Sequence, residues 1–183
     1  MRINTVNIHI QDGPSAIVKA FIEGLMVKSI PDDEPPAGTA PEVGVFPKIG
    51  EPWPGLDGVY AGLSRGLDGE PDGHLVLLNA VPEKKQAWAA AVKWAESLGN
   101  GARLPTRFES ALLYANLQDK LDTSEWHWTG TQCSEGSAWS QDFTDGTQDD
   151  RRKSYEALAR AVSRFIVSLI RSAIAGLFGL PPD

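Results

Sequence analysis

The residues best equipped for chemistry in this 183-residue chain are three histidines, one cysteine and a short run of aspartates. His127 stands between Trp126 and Trp128, so on a strand its imidazole points away from both indoles. It is expected to be an exposed contact residue, because no second histidine lies nearby to share a metal or make it a base. His74 suits a hairpin. Asp145, Asp149 and Asp150 invite calcium, since hard cations prefer clustered carboxylates, but their spacing fits no EF-hand loop and the terminal glutamate is missing. A solvated acidic turn accounts for them, and neither a metal nor a cofactor is expected. Cys133, alone, can form no intrachain disulfide and no multi-cysteine metal site, and it leaves the compartment undecided. No nucleophile, base and orienting group cluster in the sequence around any histidine. Gly62 to Gly69 (GLSRGLDG) departs from a phosphate-loop pattern and suits a turn. Trp126, Trp128 and Trp139 could make a sugar-stacking platform, yet tryptophans alternating along strands belong more often to a core. These patterns favour binding over catalysis.

The remaining composition narrows the partners. A net charge of -7, with no Lys/Arg cluster interleaved with aromatics, argues against nucleic acid. Hydrophobic residues make up 42% and charged residues 22%, enough apolar material for one main domain, while 18 Gly and 13 Pro predict a loop-rich fold. The opening MRINTVNIHI lacks the unbroken apolar stretch of a secretion signal, so no signal peptide is expected. The run from Phe165 to Leu180 contains Arg171 and several serines and is shorter than the ~20 residues of a spanning helix, so membrane insertion is not expected.

The elements that must position these residues follow from periodicity and punctuation. Val6, Ile8 and Ile10 alternate as a strand, and Ile17, Val18, Phe21, Ile22 and Leu25 recur as a helix, giving an N-terminal extension over 1–30. The acidic, proline-rich segment 31–44 reads as a linker. A main domain is predicted over 45–167. Within it, Val59 to Leu63 and His74 to Leu78 form a hairpin. Pro82 to Leu98 is a helix with Trp88, Ala91, Val92, Ala95 and Leu98 on one face, ended by Gly99 in a left-handed cap. Thr106 and Glu109 make a capping box that opens a second helix to about Asp119. Trp126 to Thr131 and Ala138 to Phe143 are strands joined by a Cys-Ser-Glu-Gly-Ser turn, and Arg160 to Val167 is another. Along the Trp139 strand, Trp139 and Phe143 are expected to face a core, with Ala138, Ser140 and Asp142 facing outward. Segment 168–183 reads as an amphipathic helix suited to a partner surface. The order describes an α+β domain with two helices and a small antiparallel sheet, loop-rich, carrying helical extensions at both ends.

The succession GVYAGLSRGLDGEPDGHLVLL, WAAAVKWAESLG, RLPTRFESALLYANL, WHWTGTQ, AWSQDFTDGTQ and RAVSRF resembles the Lcl-type C-terminal domains of phages and prophages, which are related to variable proteins of diversity-generating retroelements. The likeness covers roughly 45–167 and is most specific in the Leu-Pro-Thr-Arg lead-in to the second helix and in the paired aromatic strands. It implies a C-type-lectin-like fold that presents variable side chains between His127 and Arg152 to a host receptor. The positions so implied are His127, Thr129, Cys133, Ser134, Glu135, Ser137, Ser140, Asp142, Thr144, Thr147, Asp149, Asp150 and Arg151, of which Cys133, Ser134, Glu135, Ser137, Thr144, Thr147, Asp149, Asp150 and Arg151 are expected in loops. Its partners would be a host cell-surface protein or glycan and other virion tail proteins. A homo-oligomer, trimers included, is expected, located in the virion tail or in the bacterial cytoplasm before assembly. The chain departs from the family in having Arg160-Ala161-Val162-Ser163-Arg164 where relatives show a tandem-arginine strand, and it lacks the Glu-Pro-Asn and Trp-Asn-Asp signatures of lectin calcium sites. Formylglycine-generating oxidases share the fold but resemble proteins with paired cysteines. A structural tail or baseplate role is the alternative to receptor recognition, and an uncharacterised enzyme ranks third.

Overall fold

A computed structural model describes residues 46–166. The strand and helix expected over 1–30, the linker expected over 31–44 and the amphipathic helix expected over 168–183 lie outside those residues. Among the described residues the elements run β1 (Gly58–Ser64), β2 (Gly73–Leu78), β3 (Gln86–Ala87), α1 (Trp88–Ser97), α2 (Arg107–Leu117), a single 3-10 turn (Gln118–Lys120), β4 (His127–Gln132), β5 (Ser137–Gln141), β6 (Gln148–Arg152), β7 (Glu156–Ala157) and β8 (Val162–Ile166). The class is α+β, with two helices as expected. The strands form three small antiparallel sheets in place of one, ordered β1-β2-β8, β3-β7 and β4-β5-β6.

β2 is the wall between two apolar compartments. All six of its residues are buried, which is what the unbroken run Leu75 to Leu78 requires of a central strand covered on both faces. Val76 and Leu78 look into one compartment with Trp53, Tyr60, Trp128 and Phe165. Leu75 and Leu77 look into the other, with Leu113, Leu117, Phe143 and Val162. In the first, Trp53 stacks on Phe165 with centroids 5.3 Å apart, and the His74 ring stacks on Phe46 at 4.0 Å. The hairpin residue His74 is thus core, its Nδ1 2.8 Å from the Tyr60 hydroxyl.

Both helices obey their sequence signals, with one shift. α1 begins at Trp88, because Gln86 and Ala87 pair with Ala157 and Glu156 instead of extending the helix back to Pro82. It ends where Gly99 adopts φ 74°, the left-handed conformation that glycine takes without a Cβ penalty. α2 opens with the complete capping box, Thr106 accepting from the Glu109 amide and the Glu109 carboxylate accepting from the Thr106 amide. That carboxylate also receives both terminal nitrogens of Arg103, at 2.6 and 2.7 Å. Burial pushes the Glu109 carboxyl up, but the Arg103 hydrogen bonds and charge, with the Thr106 bonds, outweigh it and hold its pKa below the usual range. Among the described residues no helix is long and apolar enough to cross a membrane.

The β4-β5-β6 sheet is pinned from both sides. Trp128 is 1% exposed and its indole N–H donates to the Gln86 carbonyl. On the opposite face the His127 ring meets Phe143 edge-on, with centroids 4.9 Å apart. α2 is tied to this second face through Arg107, whose Nε donates to Gln148 Oε1, while Gln148 Nε2 donates back to the Arg107 carbonyl and to Gln141 Oε1. At Gly146, φ is 83° and an added Cβ would lie 2.6 Å from the Tyr114 ring, so the Asp145-Gly146 turn accepts no larger residue without backbone strain and displacement of that ring.

Candidate binding surface

Two turns frame β5 and carry most of the predicted surface residues. The first, Cys133 to Gly136, is fixed by backbone and hydroxyl contacts: the Cys133 and Ser134 amides donate to the Ser137 carbonyl, and the Ser134 and Ser137 hydroxyls lie 2.8 Å apart. Lys153 then locks it to the chain after β6, donating to Gln132 Oε1 and to the Glu135 carbonyl while its ammonium lies 4.8 Å from the Trp88 ring centroid. Cys133, Ser134 and Glu135 are exposed on this turn, and Ser137 is half-buried at its foot. Side chains on a turn held this way are preorganised for contact.

The second turn, Asp142 to Thr147, uses its polar groups on itself. Asp142 accepts from the Thr144 amide, Asp145 accepts from the Thr147 amide, and the Thr144 hydroxyl donates to the Thr123 carbonyl. Thr144 and Thr147 are exposed, whereas Asp142 is half-buried. The turns sit at opposite ends of the five-residue strand β5, about 14 Å apart at the usual rise per residue. The two sets therefore do not form one cluster. Asp149, Asp150 and Arg151 stand between them, on β6 and not in a loop, paired respectively with Ser140, Trp139 and Ala138.

Three predicted surface positions are interior. His127 is 3% exposed, and Thr129 and Ser140 are fully buried. Thr129 donates its hydroxyl to the Trp139 carbonyl and Ser140 to the Asp149 carbonyl, so both hydroxyls serve the sheet. The facing expected along the Trp139 strand holds for Phe143, which is 1% exposed in the core, and fails for Trp139, Ala138 and Ser140. Ala138 and Ser140 lie on the Trp128 side, where small side chains let the layers approach, while Trp139 is half-buried beneath the Arg107 guanidinium, 3.5 Å from its ring centroid. Alternation assigns opposite faces correctly, but it cannot tell which of two covered faces a residue meets.

Three residues that the sequence did not single out, Arg152, Ser154 and Tyr155, complete the surface. The Arg151 guanidinium lies over Trp126, 4.0 Å from its centroid, and over Tyr155 at 5.1 Å. Tyr155 itself is exposed and turns its edge to Trp128. Asp150, Arg151, Arg152, Ser154 and Tyr155 line a shallow open depression of about 390 Å³. No family model and no curated protein matches this chain. Among the described residues, no group of three or more His, Cys, Asp or Glu is placed to hold a metal ion. Chemically, the surface offers guanidinium donors, hydroxyls and carboxylates beside aromatic rings, the ingredients of a recognition patch. His127 does not reach it, being 3% exposed, and burial, aided by Arg160, pulls its pKa down to about 4 against smaller opposing effects of the Glu125 carbonyl, Asp122 and Asp142, so the ring stays neutral.

Proposed function

We propose that this chain is a receptor-recognition protein of phage or prophage origin, built on a C-type-lectin-like scaffold, that binds a host cell-surface protein or glycan through the exposed residues of the Cys133–Gly136 turn and β6. One observation carries the reading: Ser134, Glu135, Asp149 and Asp150 are exposed on elements whose inner side is fixed by Trp128, Ala138 and Ser140, all nearly or fully buried. Substitution at Glu135, Asp149 and Asp150 costs little stability, because the contacts that hold the sheet lie elsewhere, whereas the Ser134 hydroxyl also shapes its turn. The test is attachment of the full chain to host cells and to a glycan array, with the exposed Glu135 of the turn and Arg152 of β6 replaced together by alanine. Loss of attachment at an unchanged melting temperature is expected. Attachment equal to that of the parent protein overturns the proposal.

A structural role in a virion tail is the second reading, and a separate apolar groove favours it. Leu63, Leu67, Phe108 and Leu112 line a groove of about 270 Å³, with Phe108 67% exposed. Large exposed apolar side chains gathered in one place mark protein contacts. If another tail protein covers this groove, Phe108→Ser with Leu67→Ser abolishes assembly into particles and leaves cell attachment by the isolated protein intact.

A further inference from the structure

Arg151 is held in an unusual way for a cation in an acidic chain. Among the described residues it makes no ion pair, and its side chain donates no hydrogen bond; the Nε is buried and unpartnered. Its flat face is occupied by Trp126 and Tyr155. Stacking of this kind fixes the plane of a guanidinium while leaving its N–H edges free to donate. Arg152, also without an ion pair, lines the same depression with the hydroxyl-bearing residues Ser154 and Tyr155. Asp150 is the one carboxylate among the lining residues. The depression thus offers two unpaired guanidinium groups, two side-chain hydroxyls and a ring edge on an open, shallow floor.

We propose that the depression formed by Arg151, Arg152, Ser154 and Tyr155 binds the carboxylate-bearing sugar unit of an acidic glycan. The carboxylate takes the fork of Arg151 in a paired N–H···O geometry, which suits the planar match of the two groups. The exposed edge of the Tyr155 ring borders the pyranose, and the hydroxyls exchange hydrogen bonds with it. A sugar, which can engage the guanidinium groups, the hydroxyls and the Tyr155 edge together, fits the open, shallow shape better than a single peptide side chain. The assignment rests on the receptor-recognition reading and names the ligand class of that surface.

The experiment is calorimetric titration of the full chain with a uronic-acid oligosaccharide and with the same oligosaccharide after carboxyl reduction. The acidic form should bind with an affinity that falls as salt rises, and reduction should weaken it by about tenfold or more, as expected for loss of a charge-assisted pair. Arg151→Lys keeps the charge but loses the stacked fork, and should weaken binding to a similar degree; Tyr155→Ala should weaken binding to both forms. Because ligand reduction needs no protein variant, the result stands even if a substitution unsettles the fold. Equal affinity for the two forms, or binding of polyglutamate with no affinity for the oligosaccharide, overturns the acidic-sugar site while cell attachment preserves the broader reading. Failure to attach to any cell or glycan overturns both.

Discussion

His127 and His74 are imidazoles placed where a positive charge has little to stabilise it. Burial lowers the pKa of each, that of His127 to about 4. Around His127 stand Phe143, the Glu125 carbonyl, and at longer range Arg160, Asp122 and Asp142. Around His74 stand Tyr60 and the Phe46 and Trp53 rings. Above the unfolded value of 6.5 both states are neutral and the full contribution to stability is present. Below it, the unfolded chain takes up protons that the folded chain refuses, so stability falls as pH drops; for His127 the loss runs toward pH 4 at up to ~1.4 kcal/mol per pH unit, and His74 adds to it in the same direction. Urea titrations at a series of pH values should show this loss, and His127→Gln should flatten it; an unchanged slope would show that His127 does not titrate on unfolding. The sequence placed this ring outward on sound periodicity. It was wrong because both faces of β4 are covered, one by the Trp128 compartment and the other by Phe143, and local alternation carries no information about a second layer.

Among the elements, α2 is the one whose start is most heavily determined. Thr106→Ala removes one cap and should cost about 1 kcal/mol. Glu109→Ala removes the other half of the box and also deprives Arg103 of its carboxylate, so it should cost more, about 3 kcal/mol. Denaturant midpoints measure both, and a Glu109→Ala cost no larger than that of Thr106→Ala would mean that Arg103 finds another partner. This element was legible because capping chemistry is local: Thr106 and Glu109 are three residues apart and satisfy one another's backbone amides. β6 was illegible for the opposite reason. Its sequence QDDRR has no apolar alternation, since it is an outer strand of its sheet, and charge on such a strand discourages pairing with another chain. The Arg107-Gln148-Gln141 network that joins α2 to β6 was equally hidden, because its partners lie 41 and 7 residues apart.

For the molecule as a whole, β2 couples the two compartments. Leu75 and Leu78 belong to different compartments of the same strand. Leu75→Ala and Leu78→Ala should therefore each lower a single unfolding transition, by about 2–5 kcal/mol. Calorimetry that resolved two transitions in either variant would show that the compartments unfold independently. The α+β class, the two helices and the strands β1, β2, β4, β5 and β8 could be read from periodicity and punctuation, whereas β3, β6 and β7 could not. The division into three small sheets could not, because the β3-β7 pairing and the links of β4 to the chain near Leu158 are contacts between distant two-residue stretches with no pattern of their own.

The exposed thiol of Cys133 stands on the turn beside β6, within the surface proposed to meet the receptor. Oxidation would couple two molecules through that turn and make a bivalent species. Under those conditions an attachment assay would read avidity, which can exceed the single-site affinity by ~10²–10⁴-fold when both sites engage. If the linkage instead occludes the turn, oxidation silences it, so adding reductant would reveal on which side of the contact zone the sulfur sits.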